Sequence, residues 1–227
     1  MAIVSAASTR HRRRLARRSI AVLLAAFAGL FAIVRADRSA TIDLAITRRV
    51  QRRHSSVLVP LMAAASWPGF PPQSRILPPL VISGWLLAGR PRAAGFQALA
   101  WGAALLSTAV KATVRRQRPV PPEVRVVAAP LRGSSFPSGH VLTYVGFYGF
   151  LARLIWIHGP SPLVRRVGAG SLLVLIGLVG PSRIEQGHHW TTDVLASYLL
   201  GLAYLAGLAS LYETTDERSD APMRTPA

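Results

Sequence analysis

Apolar stretches with arginine at their ends are the strongest constraint on this chain. Ser19 to Val34 carries no charge and is closed by Arg35, and Val194 to Tyr212 is uncharged over its whole length. Between them lie runs near Ile76 to Gly89, Ala93 to Val114, Val141 to Ile157 and Val167 to Gly180. A soluble domain of this size would struggle to bury so much apolar surface. Several are shorter than the ~20 apolar residues that a membrane span needs, but arginines at their ends can snorkel and lengthen them. The pattern predicts an all-α protein, a polytopic membrane helix bundle with about six transmembrane helices.

The charge balance fits that reading. The chain has a formal charge of +18 yet is 51% hydrophobic, with a mean hydropathy of +0.34. So basic a chain invites a nucleic-acid reading, but its basic residues cluster at the ends of apolar runs, as loops flanking membrane helices do. No nucleic acid is expected as a partner; the bilayer is. The absence of cysteine excludes disulfides, thiolate chemistry and cysteine-ligated zinc. Of the 27 basic side chains only Lys111 is a lysine.

Residues 1–18 read as a basic cytoplasmic leader, 19–212 as the membrane domain and 213–227 as a disordered cytoplasmic tail. The first apolar run is taken as a retained helix, with a cleaved signal peptide as the competing reading. Residues 35–54, with Arg48, Arg49, Arg52 and Arg53, suit an amphipathic segment on the membrane surface, or a solvated loop. Six spans put both termini on one side, with Arg90, Arg92, Arg165 and Arg166. The positive-inside rule makes that side the cytoplasm. The loops 35–54, 115–140 and 181–193 then face outward.

Three clusters of reactive residues fall in or beside those outer loops. Lys111 and Arg118 lie seven residues apart, about two helical turns, with Pro119 closing the helix after them. Their cations suit phosphate oxygens, or merely a snorkelling helix end. Pro137-Ser138-Gly139-His140 precedes an apolar run. Ser138 is placed as an N-cap, and the amides of the first turn with Gly139 can face an anion. An ordinary capped helix start reads the same way. Ser182 and Arg183 are followed by His188, His189 and Asp193. His189 and Asp193, at i and i+4, share a helical face, so the acid can fix the imidazole tautomer. An acid at the edge of a span suggests function, although a helix N-terminus also favours it. With no cysteine and only Glu185 and Asp193 near the histidines, no metal site is expected.

Taken together, Lys-x6-Arg-Pro, Pro-Ser-Gly-His and Ser-Arg-x5-His-x3-Asp resemble the three-part signature of the type-2 phosphatidic acid phosphatases, or lipid phosphate phosphatases, relatives of the vanadium haloperoxidases. The signature covers residues 111–193. The resemblance implies a membrane lipid phosphatase, a hydrolase that needs no metal or other cofactor. His189 would be the nucleophile that forms a phosphohistidine, Asp193 its orienting partner and His140 the general acid. Lys111, Arg118, Ser138, Gly139 and Arg183 would bind the phosphate. The expected substrate is an isoprenoid (undecaprenyl-type) pyrophosphate, phosphatidylglycerol phosphate or phosphatidic acid. It would be met at an outward-facing site in the cell membrane. A lipid phosphotransferase using the same phosphohistidine, and a non-catalytic lipid-binding protein, are the alternatives. The sequence specifies no oligomeric state. The polar Ile184-Glu185-Gln186 stretch and the extra imidazole of His188 depart from the family pattern.

Overall fold

The structure is a computed structural model and describes residues 2–52, 55–127 and 133–219. Within them every regular element is helical: α1 (Ala2–Arg35), α2 (Ala40–Gln51), α3 (Leu58–Ser66), a 3₁₀ turn at Trp67–Gly69, α4 (Gln73–Leu87), α5 (Pro91–Trp101), α6 (Ala103–Thr113), α7 (Gly139–Thr143), a π-helical turn at Tyr144–Tyr148, α8 (Gly149–His158), α9 (Pro162–Glu185) and α10 (Thr191–Ser219).

Five stretches are long and apolar enough to cross a bilayer: Arg13–Arg35, Pro91–Thr113, Gly139–His158, Pro162–Glu185 and Thr191–Thr215. The sixth expected span is α4. It has 15 residues, about 22 Å at the helical rise, and packs against α5 after a turn through Gly89 at φ +70°. The bundle is therefore an up-and-down membrane array in which the start of α1 and the end of α10 lie at one end. The ends of α1, α6 and α9, the starts of α4, α7 and α10, and the short α2 and α3 gather at the other.

Small residues let the helices close up, as membrane bundles require in the absence of a hydrophobic drive between helices. A β-carbon on Gly146 would sit 2.6 Å from Ala103 Cβ, and one on Gly201 2.8 Å from Val145 Cβ. The core follows from these contacts. Val141, Tyr144, Val145, Phe147, Val179 and Val194 are all buried in one cluster between the fourth, fifth and sixth spans. The π turn lies in its midst, with all five residues buried. Phe27 and Phe31 of α1 pack against Phe136, with ring centroids 6.2 and 5.9 Å away.

Four local expectations change. The third helix ends at Thr113, not at Pro119, and Val114 is extended at φ −128°, ψ 111°. Residues 114–118 then alternate: Val114, Arg116 and Arg118 point inward while Arg115 and Gln117 are exposed, the period of two of extended chain. The fifth helix runs through Pro181 to Glu185, so Arg183 is on its last turn and not in a loop. Pro181 supplies no N–H to the Gly177 carbonyl; the Tyr198 hydroxyl donates to the Ile176 and Gly177 carbonyls at 2.6 and 3.4 Å. Residues 40–51 are helical, as an amphipathic surface segment would be, but Asp43 and Thr47 are fully buried against the bundle.

The fourth change is at the termini. α1 begins at Ala2 and takes in the basic leader, and α10 continues to Ser219. Its last turns are held by Arg153 on Glu213 and by Arg92 on Thr215 Oγ1. Residues 220–227 of the expected tail lie outside the described residues.

Candidate functional site

The three sequence clusters meet at the gathered end of the bundle. Ser134, in the loop before α7, draws the two cations of the first cluster together. Its carbonyl accepts from Lys111 Nζ at 3.3 Å and from an Arg118 terminal nitrogen at 3.1 Å. The other Arg118 terminal nitrogen donates to the His188 carbonyl at 2.8 Å and lies 3.3 Å from His189 Nε2. Lys111 and Arg118 thus converge as expected, although extended chain and not two helical turns brings them there.

His189 precedes α10, and Asp193 is in its first turn. The i, i+4 spacing on one helix is replaced by a capping arrangement in which Asp193 Oδ2 accepts the Trp190 N–H at 2.9 Å. His189 Nδ1 lies 3.6 Å from the same oxygen. Both groups are buried. Burial pushes the His189 imidazole down to about 4, against the opposing pull of Asp193. Asp193 Oδ1 accepts from Arg116 at 2.5 Å. Burial also lowers Arg118 from the ordinary guanidinium range, with Asp193 acting the other way.

Arg183 is fully buried. One terminal nitrogen meets His188 Nδ1 at 3.0 Å and the other donates to Gln186 Oε1. His188 Nε2 in turn donates to the Val127 carbonyl at 2.7 Å. The second imidazole is therefore an orienting group for Arg183, and burial, then Arg183, hold it down at about 4. A neutral ring suits the role, since Nδ1 must accept while Nε2 donates. The turn into this loop passes through Gly187 at φ +68°, where a β-carbon would strike the Arg125 carbonyl.

The Phe70 ring joins the remaining parts. The Arg183 guanidinium carbon lies 4.9 Å from its centroid, and the His140 ring 4.7 Å away meets it edge-on. His140 also stacks on Tyr144 at 6.4 Å, and the Tyr144 hydroxyl donates to the Ala65 carbonyl at 3.0 Å. Ser138 holds the N-cap position of α7, but its side chain makes no cap bond; its own N–H is held by Ser197 Oγ at 2.7 Å.

Ser138 Oγ, His140 Nε2, Arg183 Nε and His189 Nδ1 are buried without a hydrogen-bond partner. So many orphan polar atoms around one spot is unusual, because buried polar groups are otherwise paired. A cavity of about 300 Å³ opens beside them. Its walls change from Lys111, Gly139 and His140 to Pro78, Trp101, Ala104 and Phe147. A cation, a helix start and an imidazole in the wall of this cleft, with Arg118, Arg183 and His189 close to them, can hold an oxyanion joined to an apolar group.

Arg116 and Asp43 were not singled out from the sequence. Arg116 is one of four arginines within 115–125, and Asp43 is 73 residues from it. The signal for Arg116 was the alternation imposed by extended chain before Pro119. No local signal marks Asp43 except that it is an acid inside a basic amphipathic run.

Fold and site together define an integral membrane helix bundle with a cluster of cations and histidines at one end. The chain belongs to the PAP2 superfamily, which matches residues 94–216, more than half of its length. Its fold is similar to a transmembrane PAP2-type phosphatidylglycerolphosphate phosphatase from Bacillus subtilis, with a TM-score of 0.74 and 24% identity over 91% of this chain and 99% of that one. Similarity extends to LpxE from Aquifex aeolicus, with a TM-score of 0.56 and 24% identity over 74% of this chain and 93% of the other. Comparison with curated proteins yields no match.

Proposed function

We propose that the protein is a membrane lipid phosphatase that removes the terminal phosphate of a lipid phosphate or pyrophosphate through a phosphohistidine on His189. The observation that carries this reading is the set of orphan buried polar atoms on Ser138, His140, Arg183 and His189, beside a cleft whose wall includes Lys111, Gly139 and His140. Family membership and the fold shared with a phosphatidylglycerolphosphate phosphatase support it. Phosphatidylglycerol phosphate, phosphatidic acid and an isoprenoid pyrophosphate each join a phosphate to a chain that suits the cleft.

In this reading Lys111, Arg118, Arg183, Ser138 Oγ and the Gly139 amide hold the phosphate oxygens as charge builds on them. Neutral His189, with its Nδ1 proton toward Asp193, attacks phosphorus through Nε2. The bond to the leaving oxygen breaks, and His140 protonates that oxygen. Water then attacks the phosphohistidine, giving up a proton to His140, and releases phosphate and free His189. Three cations supply the charge stabilisation that a metal ion would otherwise give. The site faces outward, a reading supported by the basic leader and by Arg90, Arg92, Arg165 and Arg166 at the opposite end.

The test is phosphate release from a panel of lipid phosphates by detergent-solubilised protein, with and without EDTA, for wild type and His189→Ala. Turnover unaffected by EDTA and lost by several orders of magnitude in the variant is expected. Residual activity above about a tenth of wild type removes His189 as nucleophile. Loss in EDTA that magnesium or zinc restores removes the metal-free mechanism.

A further inference from the structure

The best-connected ion cluster near the site includes residues outside the signature. The Arg116 guanidinium bridges two carboxylates. One terminal nitrogen donates to Asp193 Oδ1 at 2.5 Å and Thr192 Oγ1 at 2.7 Å. The other donates to Asp43 Oδ2 at 2.6 Å and Ser39 Oγ at 2.8 Å. Asp43 comes from α2, which precedes the family-matched region. Its two oxygens also accept the Thr192 N–H at 2.9 Å and the Thr192 hydroxyl at 2.7 Å. It therefore caps the N-terminus of α10 from a separate helix, where the dipole favours a negative charge. The two carboxylate side chains are 1% and 0% exposed and the guanidinium 11%. Buried carboxylates at this depth require a paired cation.

We infer that Arg116, fixed by Asp43, is a positioning residue that sets how strongly Asp193 draws a proton onto His189. Asp193 has one oxygen on Arg116, while the other accepts the Trp190 N–H and lies 3.6 Å from His189 Nδ1. An unshared carboxylate would favour the imidazolium form, whose Nε2 has no lone pair with which to attack. Arg116 offsets that pull and leaves the ring neutral while Asp193 still orients it. The other groups facing His189 are Arg118 at 3.3 Å, Lys111 from α6, His140 from α7 and the adjoining His188 with its partner Arg183. The Arg116 side chain bonds to none of them. The importance of this control for turnover rests on the nucleophile reading of His189; the control itself does not.

The experiment titrates the imidazole signals of ¹⁵N-histidine-labelled protein in detergent, with the His189 signal assigned by its absence in His189→Gln. Arg116→Gln should raise the His189 midpoint by about one to three units, the range for losing or gaining a neighbouring charge. Arg116→Lys, which keeps the cation, should titrate near wild type. Arg116→Gln leaves Asp43 without its cation and can fail to fold. The double variant Arg116→Gln/Asp43→Asn removes that liability, and it too should titrate above wild type because Asp193 has lost its Oδ1 partner. An unmoved midpoint in the folded variant overturns the inference. Lipid phosphate hydrolysis is then followed against pH. A merely structural Arg116 lowers the whole profile evenly, whereas the proposed role moves its acid limb with the NMR midpoint. A moved midpoint with an unmoved acid limb upholds the control by Arg116 and counts against His189 as nucleophile.

Discussion

Gly69→Ala is a single methyl group aimed at His140. An ideal β-carbon at Gly69 would lie 2.7 Å from His140 Nε2 and 3.1 Å from Cγ, and closer still to Cδ2. Comfortable contact begins near 3.5 Å, so the ring must move by about 1 Å. It has little room to do so. Phe70 meets it edge-on at 4.7 Å and Tyr144 stacks at 6.4 Å on a π turn that is buried throughout. A displacement of about 1 Å in a reacting group can reduce turnover ~100-fold, which corresponds to about 2.7 kcal/mol of barrier. The overpacking itself should lower stability by about 1–3 kcal/mol, so turnover must be compared at a temperature where both proteins are folded. The assay uses two substrates, a lipid phosphate whose alkoxide leaving group needs a proton and an aryl phosphate whose phenolate does not. Turnover of the lipid phosphate should fall ~100-fold and that of the aryl phosphate far less. Equal losses on both substrates would refute the leaving-group role of His140. Full activity on both would refute the crowding argument itself.

The other predictions concern charge. Lys111→Arg should reduce turnover about tenfold or more, or ~1.4 kcal/mol, because a planar guanidinium replaces a compact ammonium in the cavity wall. Exposed Arg115→Lys should be nearly neutral at matched membrane levels, and equal effects at the two positions would remove Lys111 from the site. His188→Ala should free Arg183 from its 3.0 Å partner and raise KM for the phosphate substrate about tenfold, with His188→Asn, which retains an acceptor, losing less; an unchanged KM in both would show that Arg183 needs no holder. His188 and His189 are pushed down to about 4 in the folded protein. Between that value and the ordinary imidazole range near 6.5 the unfolded chain binds the extra protons, so their contribution is whole above ~6.5 and fades as pH falls toward ~4. Thermal melts of wild type and His188→Gln in detergent should therefore converge on acidification, and parallel curves would argue against it.

The parts legible in the sequence were those governed by local rules. Arginine-bounded apolar runs located the spans because a bilayer imposes one requirement on all of them. Lys111, Arg118, His140, Arg183, His189 and Asp193 were recognisable as residue types at fixed spacing. What escaped was set by backbone conformation and by distant contacts. A spacing of seven from Lys111 to Arg118 suggested two helical turns, yet the helix stops at Thr113, and extended chain changes which arginines point inward. Ser138 looked like a cap, but its hydroxyl is left unpartnered. His188 read as a departure from the family pattern, and its purpose emerges only from Val127 on the opposing loop, 61 residues away. Asp43 could not be read at all, since its role depends on Arg116 and Thr192, 73 and 149 residues further along.

The π turn at Tyr144–Tyr148 separates two requirements that a single straight helix would have to meet together. A regular α-helix fixes the angular relation of every side chain to every other, so any repacking in its lower half would rotate His140. One wider turn breaks that phase. The lipid-embedded half, Gly149–His158, can then vary its facing residues to suit bilayers of different thickness or composition while His140, above the turn, keeps its bearing on Phe70 and Gly69. Relatives that live in unlike membranes would be expected to diverge freely below this turn and to retain it.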